Sequence, residues 1–397
     1  MRQSHTKDTI ELTSGQVLTM TVDTLIEHFN MVVNGYKFST EDIWNMVVAA
    51  SAQGQAIESA ANQSEDAPDP STVRLYLRTH LLSVTTLVEM EETCNEALAA
   101  HLPPRIRGAR HKVAIDLTFI PYHGQAALSQ NEIRRGKAKS GTTNFHCYAT
   151  AYVIKKNKRV TLAFTYVQAN DTLIDVLERL LVRLRMLNVC LKRLYLDKQF
   201  YCVPVIRHFQ TRYHNQEVII PAVIRGKEGG TRALLRGCTS YRATYTMRSA
   251  QYGETTFDVG VVRKYSKGRY GRHGAKWFAY VLLGQIQSPL HQIYEEYRLR
   301  YGIESTYRLM NKARARTSSR SPGLRLLFVG IALILVNIWV FLKWTYLGLP
   351  RRGGRDVLEE FFPLTMFKQF LLEAIKAIYG AVQSVSLPRA ILAEAGA

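Results

Sequence analysis

The chain has 397 residues, of which 47% are hydrophobic and 10% aromatic, so it can bury the cores of two or three domains and is not a disordered polymer. Its formal net charge of +20 favours a polyanionic partner such as a nucleic acid. The five cysteines are scattered, without CxxC pairs or a Cys/His zinc spacing, which argues against a disulfide framework or a zinc site. The N-terminal stretch lacks the apolar segment of a secretory signal, so we expect a cytoplasmic protein.

Residues 1–104 are predicted to form a helical N-terminal domain, because apolar residues recur there at helical spacing in three segments. The first 100 residues hold 5 Lys and Arg against 14 Asp and Glu, a net charge of −9, so the basic surface belongs to the later part of the chain. The pattern is compatible with a helix-turn-helix, in which Arg74 and Arg78 would face a DNA groove. A plain helical domain is the alternative.

A mixed α/β core is predicted to begin after a connector rich in Pro, Gly and Arg. Residues 105–225 read as three strands, a helix, a strand, a helix and a strand, which indicates a mixed sheet with helices packed on it, as in several α/β folds. Residues 226–290 hold three β-rich pieces and are predicted to form an antiparallel insertion. Residues 291–345 are predicted to complete the core, and residues 346–397 to form a C-terminal helical region.

One apolar run could form either a membrane anchor or a helix buried in the protein core. Residues 326–342 carry no charge, and this length reaches the lower limit for a membrane-spanning helix. Gly330 and Asn337 interrupt the run, and the chain has no second run of this kind. These features favour a core helix buried in protein, and we expect no membrane partner.

Two aspartates interrupt predicted strands that are otherwise apolar. Asp116 lies in KVAIDLTFIP, and Asp197 follows the strand in KRLYLDKQFY. A carboxylate in such a strand costs desolvation free energy unless a cation or a donor compensates it. The pair therefore suggests a shared ion, although a cap or turn at the strand end is the alternative for each residue.

A single acid also stands among cations and an aromatic residue in a helix predicted over residues 294–316. Spacings of 3, 4, 4 and 4 place five residues on one face of this helix. These five are Tyr297, Arg300, Glu304, Arg308 and Lys312. The alternative is a solvated charged stripe, but such a stripe more often alternates acids with bases.

The three motifs together resemble those of the DDE transposases of bacterial and archaeal insertion sequences. The resemblance rests on AIDLT, YLDKQFY and the run from Tyr297 to Glu304, separated by 81 and 107 residues between the acids. It is most specific for the group whose RNase H-like core has a β-strand insertion between the second Asp and the Glu, and it covers residues 105–345. This group has a Lys seven residues after the Glu, where this chain has Asn311 followed by Lys312.

The resemblance implies an RNase H-like mixed sheet with an antiparallel β insertion, preceded by an all-α domain and followed by C-terminal helices. It implies that Asp116, Asp197 and Glu304 hold two Mg²⁺ ions, for which Mn²⁺ can substitute, because carboxylates suit these ions. The expected activity is cleavage of transposon ends and transfer to target DNA, with a homodimer holding the terminal inverted repeats. The alternative is a DNA-binding protein of transposase descent that no longer cuts.

The resemblance also implies contacts with DNA. Arg300, Arg308 and Lys312 would hold phosphates, and Tyr297 would position DNA near the cut. Related transposases that form a hairpin stack a Trp of the insertion on a flipped base, and Trp277 is the candidate here; a core tryptophan is the alternative. Independently of any family, the segment 131–146 is predicted to be a flexible loop suited to phosphate contact, unless it is merely solvated. Its cations are Arg134, Arg135, Lys137 and Lys139.

Overall fold

The computed structural model describes residues 11–33, 35–103, 106–125, 131–154, 160–227, 229–267, 273–300, 302–351 and 354–384. The chain divides into two compact units. The helical unit combines the first 100 residues with residues 309–397, and the sheet unit spans residues 101–308. Residues 309–345, which the sequence pattern assigned to the α/β core, therefore pack with the N-terminal helices.

Several helices in the N-terminal part of the helical unit begin at polar caps. Its helices are α1 (Ser14–His28), α2 (Thr40–Gln53), α3 (Ile57–Ala61), α4 (Pro70–Tyr76), a π-helical turn (Leu77–Leu82) and α5 (Leu87–Ala100). Thr13 and Ser39 each form a capping box with the third residue of the helix that follows. Asp69 caps α4, because its carboxylate accepts the amide hydrogen of Ser71.

Helix α10 (Pro322–Tyr346) is the core helix of this unit and packs most extensively on α5. Among the described residues it is the one helix long and apolar enough to cross a membrane, and 94% of its most apolar stretch is buried in the protein. Asn337, the polar residue within the run, donates its amide hydrogen to the carbonyl oxygen of Leu98 at 3.1 Å. The apolar run is therefore covered by protein, as predicted for a core helix.

The chain ends with a hairpin and a further helix. Strands β10 (Gly348–Arg351) and β11 (Gly354–Val357) pair antiparallel, and α11 (Leu364–Tyr379) packs on α1, α2 and α10. Helix α11 is thus a C-terminal partner of α10, whose main partner, α5, was not identified from the sequence. Helix α5 carries four glutamates outside its buried face, and this face includes only two large apolar residues, Met90 and Leu98, so its apolar pattern is weak in the sequence.

The sheet unit is built on one mixed sheet of nine described strands. They are β1 (Arg110–Pro121), β2 (Arg134–Lys139), β3 (Thr142–Val153), β4 (Thr161–Val167), β5 (Cys190–Leu196), β6 (Val218–Pro221), β7 (Tyr241–Ser249), β8 (Gly253–Lys267) and β9 (His273–Leu283). Their order is β2-β3-β1-β5-β6-β9-β8-β7, and β4 also pairs with β3. Strand β1 is parallel to β5 and antiparallel to β3. The mixed sheet confirms the predicted fold class.

Helices that lie between the strands in sequence pack on this sheet. Helix α6 (Leu173–Met186) packs on β4, and α7 (Val203–Arg212) packs on β7, β8 and β9. Helices α8 (Leu290–Leu299) and α9 (Gly302–Lys312) follow the last strand. The three β-rich pieces predicted as an insertion are β7, β8 and β9, and they are antiparallel. They do not form a separate small sheet, because β9 pairs with β6 and so continues the central sheet.

Candidate active site

The strand register brings the two aspartates of the sequence motifs together. Strands β1 and β5 are parallel, and Ile115 lies opposite Leu196. Asp116 follows Ile115 within β1, and Asp197 follows Leu196, the last residue of β5. Residues in register on neighbouring parallel strands point to the same face. An 81-residue separation in the chain thus becomes an adjacent pair of carboxylates.

Asp116 is largely buried, with 13% of its side chain exposed. Its Oδ1 accepts the backbone amide hydrogen of Leu117 at 2.8 Å, and its Oδ2 accepts a guanidinium hydrogen of Arg300 at 2.9 Å. Burial raises the pKa of this carboxyl to about 6, although the charge of Arg300 lowers it, and the neighbouring charge of Asp197 raises it further. Burial thus disfavours the ionised form of Asp116, and the positive charge of Arg300 partly offsets this effect.

Arg300 is the cation that contacts both aspartates. Its Nη1 lies 2.9 Å from Asp116 Oδ2, and its Nη2 lies 3.2 Å from Asp197 Oδ1. The side chain is only 5% exposed, and its guanidinium carbon lies 5.2 Å from the centre of the Tyr297 ring. The sequence analysis predicted that Arg300 binds a DNA phosphate. In this structure its guanidinium binds the two carboxylates.

Two tyrosines fix the strands and the helices around this pair. Tyr297 is buried and donates its hydroxyl hydrogen to the carbonyl oxygen of Leu196 at 3.2 Å, next to Asp197. Tyr307 donates to the carbonyl oxygen of Asp116 at 2.8 Å, and its oxygen also lies 2.7 Å from the hydroxyl of Thr150. The ring of Tyr297 is thus inside the sheet unit and holds β5, and the contact with DNA predicted for it stays a prediction.

A buried ionic cluster anchors α8 to the sheet. Glu296 accepts hydrogen bonds from Lys112 of β1, at 2.5 Å, and from Arg193 of β5, at 2.7 Å, and it also accepts one from the hydroxyl of Tyr195. Arg193 pairs with Glu217 as well, at 2.7 Å. The sequence analysis missed this cluster. The sequence did contain a signal for it, because each of the two apolar strands that present the aspartates also contains a basic residue.

The helix predicted over residues 294–316 is broken at Arg300. Helix α8 ends at Leu299, and α9 begins at Gly302, where an added Cβ would lie only 3.1 Å from the hydroxyl oxygen of Tyr152. Gly has a low helix propensity, and here it also permits the close approach of β3. The five residues predicted on one helical face are therefore divided between two helices, which corrects that expectation.

Glu304 lies in the first turn of α9 and is exposed. The structure does not bring it into a cluster with the aspartates: within the described ranges there is no group of three or more His, Cys, Asp or Glu residues placed to hold a metal ion. The pair Asp116 and Asp197 does suit a divalent cation by its chemistry, because both donors are carboxylate oxygens and the pair carries more charge than Arg300 neutralises.

The remaining predicted DNA contacts occupy different surfaces. Arg308 and Lys312 are exposed on α9. Trp277 is half-buried in β9, opposite Arg263 of β8, whose guanidinium carbon lies 5.7 Å from the centre of the indole ring. Trp277 is therefore accessible on one side, and Arg263, which the sequence analysis did not single out, lies beside it.

The segment predicted as a flexible basic loop is the strand β2 and the start of β3. Arg134 is held by the carbonyl oxygens of Gln168 and Asp171, each at 3.2 Å. Arg135, Lys137 and Lys139 are exposed at alternate positions of β2. The loop prediction is corrected, because the segment pairs with β3, but its outer cations remain accessible to a ligand.

Arg74 and Arg78 are exposed in the helical unit, on α4 and on the π-helical turn. Arg74 forms an ion pair with Glu58 of α3. Both arginines line a pocket of about 880 Å³ together with Arg316 and the hydroxyl-bearing residues Thr317 to Ser319.

The sheet order, with one acid within β1 and a second directly after the parallel strand β5 beside it, defines the RNase H-like class. Residues 107–338 match the family described as "Transposase DDE domain", and the chain belongs to this family. No curated protein matches the sequence.

Two solved structures are similar to this chain. The piggyBac transposase in a synaptic complex with hairpin DNA has 9% sequence identity and a TM-score of 0.54, over 96% of this chain and 84% of that chain. This similarity shows the fold. The Argonaute of Marinitoga piezophila, in complex with guide RNA and target DNA, has 11% identity and a TM-score of 0.21, over 56% of this chain and 30% of that one.

Proposed function

We propose that this chain is an active transposase of a bacterial or archaeal insertion sequence, which cleaves transposon ends and joins them to target DNA by cut-and-paste transfer. The observation that carries the proposal is the pair Asp116 and Asp197, presented side by side by two parallel strands, largely buried and sharing a single cation, Arg300. Structural ion pairs seldom place two carboxylates side by side with a single cation, because the second acid raises the cost of ionising the first.

Asp116 and Asp197 would hold divalent ions, and Glu304 is the proposed third carboxylate. Two Mg²⁺ ions, or Mn²⁺ in their place, would activate the attacking oxygen and stabilise the leaving oxygen of a phosphodiester. Tyr307 and Tyr297 keep the two strand ends in register through the carbonyl oxygens of Asp116 and Leu196. The α8 cluster around Glu296 prevents this end of the sheet from moving relative to the helix.

DNA is the proposed partner, with transposon terminal inverted repeats and target DNA bound by a homodimer in the cytoplasm, near the nucleoid. The cations of β2, together with Arg308 and Lys312 of α9, supply exposed positive charge for phosphates. The pocket containing Arg74, Arg78 and Arg316 in the helical unit supplies a second basic surface, and end recognition is proposed there. Trp277 and Arg263 form a candidate stacking platform for an unpaired base.

A DNA-binding protein of transposase descent that does not cut is the second candidate. It is favoured by the exposure of Glu304 and by the contact of Arg300 with both aspartates, which leaves the described carboxylates without a three-acid group. The two candidates differ in one measurable respect, because both bind DNA and only the first cleaves it.

The test is a cleavage assay on duplex DNA that carries the inverted repeats flanking the gene, with Mg²⁺, with Mn²⁺ and with EDTA. Metal-dependent nicking at the repeat ends is expected for the wild-type protein, and Asp116→Asn, Asp197→Asn and Glu304→Gln are each expected to abolish it without loss of DNA binding. Glu295→Gln, on the exposed side of α8, is the matched control. DNA binding without cleavage in any metal would support the second candidate.

A further inference from the structure

The position of Arg300 between the aspartates has a consequence for the metal-free protein. Its guanidinium uses one nitrogen for Asp116 Oδ2 and another for Asp197 Oδ1, so a single side chain bridges both carboxylates. The second oxygen of Asp116 accepts the amide hydrogen of Leu117. The guanidinium of Arg300 therefore already occupies the position between the two aspartates that a metal ion would need in order to bind both of them.

Arg300 is held in this position by its own helix. It is the C-terminal cap of α8, and its backbone amide bonds to the carbonyl oxygen of Tyr297 at 3.0 Å. One turn earlier, Glu296 ties the helix to Lys112 and Arg193. The backbone of α8 is thus fixed, whereas the arginine side chain has rotatable bonds through which it can leave the carboxylates.

The burial of Arg300 favours a counter-ion role over a phosphate contact. A buried guanidinium that has lost its water needs acceptors, and the two aspartates supply them. Without Arg300, two adjacent buried carboxylates would repel each other and one would take up a proton. The guanidinium and a divalent ion are therefore alternative partners for the same two acids.

We propose that Arg300 is an internal counter-ion, which holds Asp116 and Asp197 in place in the metal-free protein and competes with divalent cations for them. This inference rests on the proposed metal-dependent function. When a divalent ion binds, the guanidinium withdraws from at least one aspartate and its charge becomes available to DNA next to the site. Arg300 is therefore a positioning residue whose partners change with the metal.

The test uses the full chain without DNA and needs no catalysis. Thermal unfolding is measured in EDTA, and Mn²⁺ affinity is measured by titration calorimetry, for the wild type, Arg300→Gln, Arg300→Lys and the exposed control Arg298→Gln. We expect Arg300→Gln to unfold at a lower temperature in EDTA and to bind Mn²⁺ at least about tenfold more tightly, because one like charge next to the ion is gone. Arg300→Lys, which cannot bridge both acids, should lie between, and Arg298→Gln should match the wild type.

The two properties separate this inference from the proposed function. If Arg300→Gln binds Mn²⁺ as the wild type does or more weakly, the competition is absent and the inference fails; should Arg300→Gln not fold, Arg300→Lys decides the matter by the same criterion. If the wild type binds no Mn²⁺, the proposed metal site fails. The EDTA comparison still reports on the counter-ion role in that case, and adding Asp116→Asn to Arg300→Gln should then restore the unfolding temperature by removing the repulsion between the acids.

Discussion

Tyr307 and Asp116, which are 191 residues apart, are joined by a hydrogen bond from the tyrosine hydroxyl to the aspartate carbonyl oxygen, at 2.8 Å. The bond acts on the backbone of Asp116 and not on its carboxylate. It therefore fixes the strand that presents the acid without occupying a carboxylate oxygen, one of which binds Arg300 and the other the amide of Leu117.

Replacing Tyr307 with Phe is expected to remove this bond and the contact with Thr150. Loss of a buried hydrogen-bond partner should lower the free energy of unfolding by about 1–3 kcal/mol, measured by urea denaturation. Cleavage should fall roughly tenfold because the acid is less well positioned. Tyr252→Phe, at an exposed tyrosine, should change neither property, and a wild-type cleavage rate in Tyr307→Phe would show that this bond does not position the acid.

The raised pKa of Asp116 predicts a pH dependence of stability in the metal-free protein. Because the pKa of the folded state, about 6, exceeds the ordinary value of 3.8, the folded protein retains a proton that the unfolded chain releases. This contribution to stability is complete below pH 3.8 and is lost as the pH rises through about 6. Over this range the wild type should lose about 3 kcal/mol of unfolding free energy relative to Asp116→Asn, at 1.36 kcal/mol per pKa unit. Parallel stability curves of the two proteins in EDTA would contradict this prediction.

Replacing Glu296 with Gln is expected to destabilise the sheet unit. The substitution keeps the shape of the side chain but leaves the buried charges of Lys112 and Arg193 without their shared carboxylate. Removal of one partner from a buried ion pair costs roughly 3 kcal/mol or more, so the thermal unfolding temperature should fall by several degrees. Glu295→Gln changes an exposed acid of the same helix and is expected to have little effect. Equal unfolding temperatures of the two variants would mean that the cluster does not stabilise α8.

The cations of β2 are expected to contribute to DNA affinity mainly through phosphates. Replacing Arg135, Lys137 and Lys139 with Gln should reduce the slope of log affinity against log salt concentration by about 2–3, at roughly 0.9 per phosphate contact. The matched triple variant replaces Arg207, Arg212 and Arg248, which lie on α7 and β7, and should change the slope less. Similar slopes for both triple variants would indicate a diffuse charge effect with no site on β2.

Helix α10 provides a prediction that separates a core helix from a membrane anchor. Leu333 is fully buried in the helical unit, so Leu333→Asp should unfold or aggregate the protein. An unpaired buried charge costs several kcal/mol, against a total stability of roughly 5–15 kcal/mol. Ile378→Asp, at an exposed position of α11, is the control and should remain folded. A soluble, DNA-cleaving Leu333→Asp protein would contradict the role of α10 as core.

Sequence patterns predicted the mixed sheet and the pairing of Asp116 with Asp197 because both depend on local signals. An acid in an apolar strand is visible in the sequence, and the resemblance to the transposase motifs identifies its partner. The break between α8 and α9 was not predicted, since Arg300 and Glu304 continue the helical spacing, and the close approach of Tyr152 to Gly302 at the start of α9 is a tertiary contact that this spacing does not show. The burial of Tyr297 was missed for the same reason, because helical spacing places a residue on a face without showing what covers that face.

The helical unit is built from two separate parts of the sequence, and this separation affects the order in which the chain can fold during synthesis. Helices α1 to α5 emerge from the ribosome first, yet α10 and α11, on which they pack, follow only after the whole sheet unit has been made. At about 5–20 residues per second, the intervening 208 residues take roughly 10–40 s to appear. During this interval the N-terminal helices can pack on one another but lack the apolar surfaces of α10 and α11. The sheet unit is continuous in sequence, so it can fold before the helical unit is complete.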